Sequence, residues 1–203
     1  MSQISPIIYL ILSLLQFIIL LRFICQVMDV NYYNPVTQSI VKISGYILTP
    51  FNILNLNSNT YFLFVILYIF TLGKLYLPML DSVESYPSAG FLVITFGYLM
   101  KDLTNIYWYL IIISAVKSWF NVFVSHPIFA LIDELCEPLY KVVRNILPTF
   151  SGIDFSPIVL LFSLQIVEII FIPRIVQLGY ICLLYTSDAA DEGLGVDLGG
   201  RRI

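Results

Sequence analysis

Charge is what this chain has least of. Only 11% of its 203 residues are Asp, Glu, Lys or Arg, against about a quarter in a soluble domain. Such a chain could not cover a water-facing surface with polar groups. Histidine occurs once, at His126, and the three cysteines, Cys25, Cys136 and Cys182, are scattered without C-x-x-C spacing. That number and spacing exclude a disulfide framework, and a structural zinc site lacks its ligands. There is no G-x-S-x-G elbow and no glycine loop shaped to cradle phosphate. Ten basic residues against thirteen acidic ones, with no basic run, give no electrostatic grip on nucleic acid. His126 precedes a proline at a helix start, which suits an interfacial N-terminal residue better than a ligand or base. The expectation is a non-enzyme without cofactor or metal.

Apolar and aromatic surface is what the chain has in excess: 59% hydrophobic residues, with fifteen Phe and fourteen Tyr, and a mean hydropathy of +0.91. A spanning helix needs about 20 predominantly apolar residues, and four segments supply them. They are 7–28, 61–80, 103–123 and 157–181, with 91–100 a tilted or kinked extension of the third beyond Lys101 and Asp102. An all-α integral membrane protein with four transmembrane helices follows. No basic residue precedes the first span, so it is expected to be retained rather than cleaved as a signal peptide.

Two segments of another kind lie between the spans. One begins Asn34-Pro35 and runs to about 52; the other begins His126-Pro127 and runs to about 147. Proline fits the first turn of a helix, where its missing N–H was unpartnered anyway, and Asn34 is a good N-cap. In the second, apolar residues recur at Ile128, Ile132, Leu135, Leu139, Val142 or Val143, and Ile146, opposite Asp133, Glu137, Lys141, Arg144 and Asn145. The first is fainter, with Val36, Ile40, Ile43, Ile47 and Phe51 against Gln38 and Lys42. A period of 3.6 with one apolar face predicts amphipathic helices lying in the membrane interface, ended or kinked by Pro50 and Pro138. Pro127 follows Pro35 by 92 positions. Span, interfacial helix, span thus occurs twice, as units 1–90 and 91–181. An even number of spans per unit keeps both copies in one orientation, a parallel repeat.

Polar side chains inside spans are costly and usually face the bundle or a polar path. Arg22, Gln26, Lys74, Lys101, Asp102, Gln165 and Glu168 are the candidates for a polar seam between the repeats. The plainer alternative has Lys74, Lys101 and Arg174 snorkelling to headgroups, with Glu168 paired or protonated. Lys42, Lys141 and Arg144 are candidates to face lipid and its anionic headgroups. Basic residues favour the side of the interfacial helices by five to three, which places those helices in the cytoplasm. Beyond the bilayer, the expected partners are other membrane proteins or a second copy, with no nucleic acid.

The composition breaks near Ile181. CLLYTSDAADE resembles the in-frame translation of a transposase-type sequencing adapter, and VDLGGRRI resembles its far end. Residues 182–203 are therefore expected to be an assembly artefact and disordered. Without them the basic count falls from ten to eight and the acidic count from thirteen to nine, a net charge of −1.

The run LLRFICQVMDVNYYNPVTQSIVKIS at 20–44 resembles the first repeat of the YggT family of small integral membrane proteins. SWFNVFVSHPI through EPLYKVVRNILPTFSGIDFSP at 118–157 resembles the second. The motif residues are Asn34, Pro35, His126, Pro127, Pro138, Pro148, Gly152, Asp154 and Pro157; Tyr46 and Val142 stand where the family usually has proline. The resemblance implies the same two-repeat fold and no known catalytic reaction. It implies a link to osmotic-stress tolerance and, in some lineages, to cell division, while plastid relatives look like assembly factors. A scaffold or assembly factor in the bacterial cytoplasmic membrane is the leading expectation; a transport or channel component for a small solute or ion is the alternative.

Overall fold

The computed structural model describes residues 4–50, 59–76, 88–120, 126–146 and 154–195. Among them every regular element is helical: α1 Ile4–Val27, α2 Pro35–Leu48, α3 Thr60–Tyr76, α4 Ser88–Phe120, α5 Pro127–Ile146 and α6 Ser156–Ile166. A π-helical turn, Val167–Phe171, then joins α6 end to end with α7, Ile172–Gly195.

Local chemistry sets the helix starts. The Asn34 side chain accepts from the Val36 N–H at 2.9 Å, Asn59 from Tyr61 at 2.9 Å, and Asp154 from Ser156 at 2.8 Å. Each satisfies an amide that the helix itself leaves unpartnered. His126 does the same through Nδ1, accepting from the Ile128 N–H at 3.3 Å. α1 ends with Asp29 at φ 51°, the Val30 N–H reaching back to the Cys25 carbonyl and the Asp29 N–H to Gln26. That is a Schellman cap with aspartate in the place usually held by glycine. The π turn precedes Pro173, whose ring would meet the carbonyl four residues back in a regular helix. The Ile172 N–H instead bonds the Val167 carbonyl five residues back, and the rod continues past the proline.

α1 packs on α3 with α2 alongside; α4 packs on the α6–α7 rod with α5 alongside; α3–α4 and α2–α5 contacts join the halves. One core gathers Ile19, Leu20, Ile24, Leu48, Leu63, Leu67, Leu99, Leu131 and Leu135, and a second gathers Ile111, Ile132, Cys136, Tyr140, Val143 and Leu160. α4 and α7 approach most closely at glycines. A Cβ on Gly179 would lie 2.9 Å from both the Gly90 carbonyl oxygen and the Ile94 nitrogen, and one on Gly97 would lie 2.6 Å from Val176. Small residues at helix crossings are how apolar helices come together without a hydrophobic driving force.

Several expectations change. Two helical stretches, Pro6–Val27 and Ser156–Leu184, are long and apolar enough to cross a membrane, whereas Thr60–Tyr76 is apolar but shorter. The third expected span is part of one unbroken 33-residue helix, because Lys101 and Asp102 interrupt hydropathy without interrupting helix propensity; residues 121–123 lie outside the described ones. The division at 90/91 falls inside α4. α2 is α-helical to Leu48 and continues as a tighter turn to 50, the expected end near 52 lying outside the described residues, and Pro138 does not end α5: burial of Leu135, Cys136 and Tyr140 on both sides holds the helix through it. The buried face of α5 is Leu131, Ile132, Leu135, Cys136, Tyr140 and Val143, while Ile128, Val142 and Ile146 are exposed. Finally, the segment after Ile181 is not disordered as far as Gly195. Helix continues there with no glycine before Gly193 to weaken it, and Leu183 lies against Gly90.

Candidate functional site

Among the described residues several polar pockets interrupt the apolar packing, and two of them enclose an ion pair. The first lies between α1, α3 and α4. Gln16, only 2% exposed, donates through Nε2 to Thr71 Oγ1 at 2.9 Å and to Asp102 Oδ2 at 2.7 Å. Lys74 Nζ donates to the same carboxylate oxygen at 3.2 Å and sits 5.9 Å from the centre of the Tyr9 ring. Gln16 Oε1 accepts no hydrogen bond among the described residues. Ser13, Asn105 and Tyr109 complete the walls of a cavity of about 250 Å³. A carboxylate here is tolerable because a cation and an amide both meet it.

The second pocket, about 320 Å³, lies where α4, α5 and the start of α6 converge. Lys117 pairs with Asp133. Arg144 reaches Asp154 through Nε at 2.9 Å and Nη2 at 2.6 Å, and Glu137 through Nη1 at 3.4 Å. Partial burial raises the Asp154 carboxyl, but its hydrogen bonds with Ser156 and the Arg144 guanidinium outweigh that and hold it below the usual carboxylate range. Arg144 shifts the other way: burial lowers it, and the Asp154 bond and charge carry it above its ordinary value. Behind this network the fully buried Cys136 thiol is pushed up to about 12, first by burial and then by Asp133. It stays protonated and unreactive at neutral pH.

The two x-Pro helix starts meet directly. Asn34 Nδ2 donates to the Pro127 carbonyl at 2.8 Å, and the Asn31 N–H donates to Glu134 Oε2 at 2.8 Å. The segment between α1 and α2 therefore grips α5.

Comparison with known proteins now becomes informative. The CCB3/YggT family profile matches residues 93–175. An uncharacterised protein of Haemophilus influenzae is 32% identical over 166 residues, covering 81% of this chain and 88% of that protein. The chain belongs to the CCB3/YggT family. YggT of Escherichia coli K12 is 27% identical over 163 residues (78% and 83%), and an uncharacterised protein of Pseudomonas aeruginosa 26% over 164 (79% and 83%). No solved structure matches the chain.

The YggT motif residues divide by place. Asn34, Pro35, His126 and Pro127 form the paired helix starts, Pro138 lies within α5, Asp154 is the Arg144 partner, and Pro157 lines the second pocket. Pro148 and Gly152 lie outside the described residues. The residues expected to line one polar seam lie at several places among the described residues. Lys74 and Asp102 meet, but Arg22 bonds Ser44 Oγ at 3.1 Å and Gln26 bonds Thr60 Oγ1 at 3.1 Å. Lys101 is exposed, since adjacent helical residues point about 100° apart. Gln165 and Glu168 lie on α6 and the π turn, apart from either pocket. Of the expected headgroup ligands, Lys42 and Lys141 are exposed, and Arg144 is held in ion pairs. Gln16, Thr71, Lys117, Asp133 and Glu137 were not singled out as site residues. An amide in the middle of the first span was the one available signal for Gln16.

Proposed function

We propose that this YggT-family protein is a multi-pass, non-catalytic scaffold of the bacterial cytoplasmic membrane. Its four long helices would cross the bilayer as two parallel repeats, and α2 and α5 would lie in the cytoplasmic interface. Its role would be assembly in envelope and osmotic-stress homeostasis or in cell-division organisation. The observation that carries this reading is the Asn34–Pro127 hydrogen bond. It ties together two helix starts that lie 92 positions apart and cap themselves alike, which fixes the halves as one frame. The exposed apolar residues of α1 (Ile7, Leu10, Leu14, Phe17) and of the last rod (Phe162, Ile169, Leu178) support contact with lipid. Reporter fusions after Ser58 and after Asn145 should both report cytoplasm and one after Glu84 the outside. Opposite sides for the first two would sink the parallel repeat.

A second reading, a small-solute or ion path, is favoured by the Gln16–Lys74–Asp102 pocket. Flux in proteoliposomes that disappears with Asp102→Asn would replace the scaffold with a transporter. No flux at any gradient would leave the scaffold standing.

A further inference from the structure

We infer that the pocket between α4, α5 and α6 binds a phospholipid headgroup carrying a primary amine next to its phosphate, the phosphoethanolamine type; this rests on the membrane reading above. Two cations, Lys117 and Arg144, face three carboxylates, Asp133, Glu137 and Asp154, across about 320 Å³. The excess of one negative charge disfavours a purely anionic occupant. A zwitterion extends the alternation instead, its phosphate towards Lys117 and Arg144 and its ammonium towards Asp133 and Glu137.

Capacity for this remains after the internal pairs are made. Among the described residues the pairs use only Oδ2 of Asp133 and Oε2 of Glu137, the latter at a loose 3.4 Å. An ionised carboxylate offers about four acceptor sites. Both side chains are substantially open, at 47% and 43% exposure. The helix whose start borders the pocket also carries an apolar track. Directly after Pro157, which lines the pocket, Ile158, Phe162 and Ile166 recur every fourth residue along the outer face of α6, all exposed. A polar pocket bordered by a helix that carries an apolar stripe fits an amphipathic occupant, with the acyl chains on the stripe. The amine must carry N–H donors, most of all a primary one with three, because only N–H groups donate to carboxylates and a quaternary ammonium has none.

The test uses the full chain purified in mild detergent, titrated with short-chain phosphatidylethanolamine, phosphatidylcholine and phosphatidylglycerol, and with water-soluble glycerophosphoethanolamine. Phosphatidylethanolamine should bind about tenfold tighter than phosphatidylcholine, the worth of one charge-assisted hydrogen bond. Glu137→Gln should reduce that preference to about twofold or less, and Asp133→Asn should do likewise if one variant fails to fold. Equal affinity for the two lipids, or a preference surviving in both folded variants, overturns the site. Glycerophosphoethanolamine binding as tightly as the lipid would make the occupant a solute and remove the lipid. Resistance of the chain to carbonate extraction from bilayers reports separately on the membrane reading, so the two can fail independently.

Discussion

Replacing Gly179 by alanine should destabilise the protein, although alanine is the better helix former. The added methyl would stand 2.9 Å from the Gly90 carbonyl oxygen, 2.9 Å from the Ile94 nitrogen and 2.5 Å from Ile94 Cγ1. Ordinary carbon contacts lie near 3.5–4.0 Å, so α4 and α7 must part by roughly 0.5–1 Å, which forfeits a quarter to a half of the dispersion energy along the seam. Overpacking of this kind costs about 1–3 kcal/mol, offset by about 1 kcal/mol from helix propensity. A net loss of up to about 2 kcal/mol remains. Gly45 and Gly73 provide the controls: nothing lies within 4 Å of a Cβ on Gly45, and only Leu12 Cδ1 at 4.0 Å from one on Gly73. Alanine at either should stabilise by about 0.5–1 kcal/mol. Unfolding by SDS in mixed micelles, followed by far-UV circular dichroism, measures all three. Trimming Ile94 to alanine should rescue little of the Gly179→Ala loss, because two of the three clashes are with main chain. If Gly179→Ala stabilised like Gly45→Ala, the close crossing of α4 and α7 would be refuted.

Asp29→Gly should gain up to about 1 kcal/mol in the same titration, because glycine adopts the positive φ of the α1 cap without the penalty a Cβ brings; a loss would mean the aspartate side chain matters more than its backbone. Asp154→Asn keeps the acceptor for the Ser156 N–H but puts an NH2 group in place of the charged oxygen that accepts from Arg144 Nε and Nη2, so its cost at neutral pH should be about 1 kcal/mol. The carboxyl is held below its ordinary range, so that contribution is present in full above about pH 4 and fades as pH falls through the lower folded value. A gap between wild type and Asp154→Asn that instead closed between pH 7 and 5 would contradict the assignment.

Helix starts were the most legible part of this sequence. Asn34-Pro35 and His126-Pro127 name their positions to the residue, because capping and the proline ring act locally. Partnerships were not legible. Periodicity says which residues share a face of one helix, and is silent on which helix that face meets. Gln16 and Asp102 lie 86 positions apart, and no local rule joins them. Grouping Gln165 with Glu168 in one seam presumes a regular α-helix, whereas the π turn begins between the two residues and changes the angular step. The helical course of 182–195 was hidden by composition: glycines and acids near the end suggested coil, while leucine and alanine nearer Ile181 carry the helix on.

The unequal helices have a mechanical consequence in a bilayer. At about 1.5 Å per residue, the 17 residues of α3 reach about 26 Å and the 33 of α4 about 50 Å, against a hydrocarbon core of about 30 Å. These neighbours cannot both stand upright in a flat membrane of one thickness. If both cross the bilayer as proposed, α4 and its partner rod would lean or project, while lipid beside the described length of α3 would be drawn thin. The protein would then deform the sheet that holds it, and its preferred surroundings would be a boundary between thinner and thicker membrane. On the proposed membrane reading, local bilayer thickness would be a variable that this fold could sense and, in return, impose.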